Sequence, residues 1–229
     1  MLSRRVTVFR AMLLGVVACG LCVHGAAQGC GELVERWPYG AAHAPAVADG
    51  TLVYASGTML KTGTLSAAGE VEILGFLELS QIPGEIALVG PRAYVAVRDV
   101  GVVVVDIAEP AQPVRIGTCT LSGGANSVTA ALQRLYVGTS EGLRILTQAA
   151  QPEQVGFVAT PAGIGDVLVT GDVAWATVGR REGQRASVRV LDLTVPEAPT
   201  LMTSWEAPGT YDRATALAAT GSLLLVTWS

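Results

Sequence analysis

Short apolar runs recur along the chain from Leu52 onward, each closed by Gly, Pro, Asp or Asn. Ile86–Val89 ends at Gly90-Pro91; Arg92–Val97 follows, then Gly101–Ile107, then Val114–Cys119. These runs are rich in β-branched and aromatic residues, and Val102-Val103-Val104-Val105 lacks the 3.6-residue spacing of a helix face. They predict β-strands. Their near-continuous apolar character also predicts cover on both faces, because bare Val stretches in water would pair edge to edge with other chains.

The runs repeat. Tyr54, Tyr94, Tyr136 and Trp175 stand at successive separations of 40, 42 and 39 residues. A second landmark trails each of them: Val102 to Val105 with Asp106-Ile107 matches Val188 to Leu191 with Asp192-Leu193. Pro113 and Pro199 each lie seven residues beyond their Asp. The degenerate members are Thr64 and Thr147, so that Thr64, Asp106, Thr147 and Asp192 are separated by 42, 41 and 45 residues. Four short strands in about 42 residues make one blade of a β-propeller. The fold class is therefore all-β, a propeller of four-stranded blades with four to five blades in the chain. The units run over residues 37–82, 83–121, 122–160 and 161–207, with a partial fifth over 208–229. Closed propellers typically have four to eight blades. Three outcomes are open: a portion of a longer propeller, closure by pairing between chains, or a four-bladed ring.

One unit carries a family likeness. Ala93-Tyr94-Val95-Ala96, Gly101 through Val104-Val105-Asp106-Ile107, Pro110-Ala111-Gln112-Pro113-Val114 and Gly117 resemble the LVIVD repeat. Trp37-Pro38-Tyr39-Gly40 also looks like the opening of such proteins, and there is a looser similarity to YVTN-type propeller repeats. The resemblance extends over roughly residues 37 to 229. It implies a bacterial or archaeal, usually exported propeller, and it implies no catalytic residues. Thr64, Thr147 and the shorter turn of the third unit depart from the pattern.

The N-terminus adds a destination. Arg4, Arg5 and Arg10 precede an uncharged run from Ala11 to Val23. Its length, about 20 Å as a helix, falls short of the roughly 30 Å bilayer core, so residues 1–27 read as a signal peptide and residues 28–36 as a linker. Two processing routes compete. Gly25-Ala26-Ala27 before Gln28 suits signal peptidase, whereas Val16-Val17-Ala18-Cys19 resembles a lipobox that would lipidate Cys19. Ser3-Arg4-Arg5 faintly resembles a twin-arginine signal. The expected location is the periplasm, cell surface or extracellular space, with no membrane span in the mature chain. Cys30 and Cys119 would survive cleavage in an oxidising compartment, where pairing is permitted but not fixed by sequence.

Charge narrows the partners. The chain has 15 basic and 19 acidic residues, a net −4, and Lys61 is its only Lys. Without the leader the balance is 12 to 19, or −7. An acidic chain with no basic run beyond Arg180-Arg181 is not built for nucleic acid. His43 is the sole His outside the leader and lies before the first expected strand, with no G-x-S-x-G elbow to serve. Asp166 and Asp172 flank Val167–Val169, and Asp99 precedes a turn, without calcium-loop spacing. Gly123-Gly124-Ala125-Asn126 reads as a turn, not a phosphate cradle. The recurring Asp106 and Asp192 read as a repeated turn hydrogen bond.

No catalytic, cofactor-binding or metal-ligating residue is assigned. Arg180, Arg181 and Arg185 fall in an insertion of the fourth unit, which makes this loop the contact candidate. The four Trp residues, Trp37, Trp175, Trp205 and Trp228, read as blade packing. The expected function is an exported, non-enzymatic scaffold or binding module for a protein or surface polymer, with self-association as a way to complete the ring. The alternatives are a propeller enzyme (hydrolase, lyase or quinone-dependent) with groups near the ring axis, and a truncated fragment of a longer LVIVD repeat protein.

Overall fold

The computed structural model describes residues 42–229 except Pro161, Thr210, Asp212, Gly221 and Ser222. The leader, Cys19, Cys30, the linker and the Trp37–Gly40 opening lie outside the described residues. The first antiparallel sheet holds β1 (His43–Ala48), β2 (Thr51–Ser56), β3 (Met59–Leu65) and β4 (Val71–Glu78). The second holds β5 (Pro83–Val89), β6 (Arg92–Val97), β7 (Gly101–Asp106) and β8 (Val114–Thr120). The third holds β9 (Ser127–Ala131), β10 (Arg134–Thr139), β11 (Gly142–Thr147) and β12 (Gln154–Ala159). The fourth holds β13 (Ile164–Thr170), β14 (Val173–Val178), β15 (Ser187–Asp192) and β16 (Thr200–Glu206), and a two-stranded sheet pairs β17 (Ala214–Thr220) with β18 (Leu223–Trp228).

Each four-stranded sheet is a meander, and the first strands pack in succession: β1 on β5, β5 on β9, β9 on β13, β13 on β17. This is the radial order of a propeller, with the first strand of each blade innermost. The place beside β13 is taken by β17, so the first four blades do not form a closed ring by themselves.

Three apolar cores fill the gaps between blades. One joins Val53 and Leu60 to Ile86, Val95 and Val105, one joins Tyr94 and Val104 to Val128, Leu135 and Leu146, and one joins Ile145 to Val167, Ala176 and Leu191. Side chains of β7 alternate between two of these cores, which is why Val102 to Val105 are all buried and the strand reads as unbroken Val. Outer strands have water on one side: Phe76, Phe157 and Met202 are exposed.

A repeated close approach locks neighbouring blades. At the bulge of β8, a Cβ on Gly117 would lie 1.9 Å from the Ala150 carbonyl oxygen of the next blade's turn. Gly156 meets the Glu197 carbonyl in the same way, at 2.2 Å, and Gly75 is their equivalent in the first blade. Only Gly lets the turn seat this deeply. The corresponding residue of the fourth blade is Thr203, and it is exposed.

The recurring aspartates close that same turn. Asp106 Oδ1 accepts the Ala108 N–H at 2.9 Å, and Asp192 Oδ1 accepts the Thr194 N–H at 2.8 Å. Thr147 Oγ1 takes an N–H too, from Glu153 at 3.0 Å, across the differently built third turn.

Candidate functional site

The repeat register of the blades places equivalent residues of successive units side by side. Residues Gly84, Asn126, Gly165 and Thr215 hold one repeat position at the start of the innermost strands. Arg98, Ser140 and Gly179 hold another, immediately after the second strand. Both positions open on the same face. There they surround a cleft of about 820 Å³, which also takes in Arg180, Arg181, Glu182 and Arg213. A second hollow of about 410 Å³ adjoins it, sharing Gly84, Arg98 and Asn126 and extending to Gln81 and Ile82.

The loop between β14 and β15 is the longest of its kind, spanning residues 179–186, where β10 and β11 are joined by residues 140–141. A tight turn shapes it: the Gln184 N–H donates to the Arg181 carbonyl at 2.9 Å, and Gly183 supplies a φ of 76°. Of the sequence candidates, Arg180 and Arg181 line the cleft, while Arg185 is exposed on the same loop. Arg98 and Arg213, on other blades, join them there. Sequence reading missed both, although Arg98 holds the repeat position from which the longer loop grows.

Below the mouth lie two carboxylates that the sequence reading did not bring together. Glu85, Ser127 and Asp166 share one repeat position on β5, β9 and β13. Glu85 Oε2 accepts the Val128 N–H at 3.0 Å, and Asp166 Oδ2 accepts the Leu217 N–H at 2.7 Å. Each acid thus ties its own inner strand to the next. Burial pushes the Glu85 carboxyl up to about 7, the nearby Asp166 charge adds to the rise, and the Val128 N–H opposes it. Burial raises Asp166 as well, against the N–H groups of Leu217 and Val167. Asp166 does not flank its strand; it sits inside β13, because that strand begins at Ile164.

Between these two tethers, Asn126 Nδ2 donates to the Ile164 carbonyl at 2.9 Å and Thr129 Oγ1 to the Val167 carbonyl at 2.6 Å. The inner strands are therefore cross-linked around the axis by polar side chains, and the cleft has a fixed floor.

The other candidates are placed as follows. His43 begins β1 and is not in a preceding loop. Gly123 and Gly124 form a turn with φ of 79° and 62°. Trp175 and Trp205 pack together, ring centres 5.3 Å apart, and Trp175 Nε1 donates to Thr170 Oγ1. Cys119 is half-buried on β8. Among the described residues no three His, Cys, Asp or Glu side chains gather as a metal site, and no helix is long and apolar enough to cross a membrane.

Comparisons with known proteins agree with this architecture. Residues 84–121, the second blade, match the LVIVD repeat. No curated protein matches the chain. Among solved structures, a putative 6-phosphogluconolactonase from Bacteroides uniformis is similar with a TM-score of 0.64 at 13% identity, over 80% of this chain and 62% of that one. The β-propeller domain of Cps50 (Swd1) from Myceliophteria thermophila is similar with a TM-score of 0.55 at 16% identity, over 69% of this chain and 55% of that one. The computationally designed protein Ika8 is similar with a TM-score of 0.61 at 11% identity, over 82% of this chain and 58% of its own. The chain thus spans less than two thirds of each of these three. At such identities the likeness is one of fold. The chain is a β-propeller repeat protein carrying an LVIVD repeat.

Proposed function

We propose that this propeller is an exported, non-enzymatic binding module whose recognition surface is the face where the innermost strands begin. One observation supports the reading above others: residues from the second, third, fourth and fifth units converge there on one cleft of about 820 Å³, rimmed by a loop longer than its counterparts. Variable loops on a rigid repeat scaffold are a common place for recognition. The partner class is a protein or a surface polymer of the host envelope. Hydrogen exchange of the mature chain with isolated envelope material tests it. Protection is expected at residues 98–100, 126–127, 179–186 and 213–215. Protection confined to the outer strands, or none, contradicts it. Export predicts a mature chain beginning at Gln28, or at a lipidated Cys19; a chain retaining Met1 in the cell contradicts that part.

A second reading, an enzyme with groups near the axis, is favoured by Glu85, whose carboxyl is raised to about 7 beneath the cleft. The structural duty of both carboxylates, each holding a neighbouring strand's N–H, weighs toward the first reading. Loss of turnover of a defined substrate in Glu85→Gln, with folding intact, would favour the second.

A further inference from the structure

The charge of the mouth runs against the charge of the molecule. The chain is net −4, yet Arg98, Arg180, Arg181 and Arg213 line one cleft, where Glu182 is the one carboxylate-bearing lining residue among the described residues. The four arginines come from three repeat units, so they are a product of the fold and not of a basic run. Two arginines outside the cleft are neutralised locally: Arg134 pairs with Glu197, and Arg144 with Glu141 at 2.6 Å. Among the described residues, Arg98 and Arg213 form no ion pair. All four mouth arginines are exposed, and the guanidinium groups of Arg98 and Arg213 are open to solvent and ligand.

Several guanidinium groups around one hollow repel one another, and an anion placed among them relieves that repulsion. The planar fork of Arg matches the paired oxygens of a carboxylate or phosphate, which a lysine ammonium does not. The hollow also fits a molecule rather than a single ion: its volume lies in the range of roughly 300–1,000 Å³ usual for small-ligand sites. Gly84, Gly163, Gly165 and Gly179 are also among its lining residues.

Resting on the binding-face reading above, we infer that the cleft takes a ligand bearing two or more oxyanion groups, carboxylate or phosphate, held by Arg98 and Arg213 of the second and fifth units and by the Arg180-Arg181 loop. The shared chemistry is the doubly charged oxygen face of the ligand, whichever acid supplies it.

Calorimetric titration of the mature chain at low ionic strength tests this, with citrate, pyrophosphate and neutral maltotetraose as separate probes. The expected result is binding of citrate or pyrophosphate, weakened about tenfold by Arg98→Ser and by Arg213→Ser. Arg115→Ser, an equal charge removed from the exposed outer strand β8, should leave the affinity unchanged. Binding of citrate alone identifies a carboxylate ligand, and of pyrophosphate alone a phosphate one. Failure of both anions to bind, or indifference to both mouth variants, overturns the inference. So does equal weakening by Arg115→Ser, which would mean attraction to charge in general. Maltotetraose bound with hydrogen-exchange protection at the mouth would also overturn the anion assignment while leaving the binding face standing; protection elsewhere would end both. All three arginines are exposed, so unchanged thermal melts are expected and confirm that the variants fold.

Discussion

The carboxylate of Glu85 accepts the main-chain N–H of Val128 at 3.0 Å, and so fastens the innermost strand of the second blade to that of the third. Asp166 repeats the device toward Leu217. A buried carboxylate with one such donor is incompletely solvated, which is why the charge is costly there even though the hydrogen bond is made.

Stability should fall as pH rises from about 4.5 toward neutrality. Glu85 has a folded-state carboxyl near 7 against an ordinary value of 4.5, so between those values the folded chain holds a proton that the unfolded chain has released. The associated stability is complete below about 4.5 and is lost through 7, on the order of 2–3 kcal/mol. Glu85→Gln should flatten this slope in urea melts taken from pH 5 to 8. A wild-type slope of the opposite sign, or one unchanged in the variant, contradicts the assignment.

The glycine seat predicts an asymmetric pair of variants. Gly117→Ala drives a methyl group into the Ala150 carbonyl and should cost about 2 kcal/mol or more, seen as a fall in Tm. Thr203→Gly, at the equivalent exposed position of the fourth blade, should change Tm far less. Equal effects would mean that the blade-to-blade turn contact does not form.

The fifth unit should depend on Asp166. Two strands alone are marginal in water, so β17 and β18 need their anchor. Asp166→Ala removes the acceptor of the Leu217 N–H, and hydrogen exchange across β17 and β18 should accelerate while β5 to β8 stay protected. Unchanged exchange at Leu217 would show that the tether is dispensable.

The turn aspartates should behave as caps. Asp106→Ala should cost roughly 1 kcal/mol, and Asp106→Asn, which keeps an acceptor for the Ala108 N–H, should cost little. Asp192 is partly exposed, and the Thr194 N–H holds its carboxyl below the usual range. Its contribution is present above the ordinary carboxylate value and fades as pH falls through the lowered one. Similar losses in Asp106→Ala and Asp106→Asn would contradict the cap.

Much of the fold was legible because its causes are local and periodic. Arg92–Val97 has the same ends in sequence and structure, and the Val102–Val105 run is unbroken because two blades cover it. The strand beginnings were less legible: β5 starts at Pro83 and β13 at Ile164, where a bulge interrupts the pairing that an apolar pattern tracks. That bulge is also why Asp166 reads as a flanking turn residue when it is a strand residue. The site was legible only in part. Arg180, Arg181 and Arg185 stand out as an insertion, whereas Arg98 and Arg213 are isolated in sequence and meet the loop only through the radial stacking of blades. Glu85 gives no signal alone, since its environment is made by Val128 and Asp166, 43 and 81 residues further on.

The anion site inferred at the cleft is tested most directly by a crystal soaked in tungstate, an oxyanion visible by its anomalous scattering. The dominant anomalous peak is expected inside the cleft, within hydrogen-bond reach of Arg98 or Arg213 and the Arg180-Arg181 loop. A peak only beside other arginines such as Arg115, or an empty cleft, would contradict it.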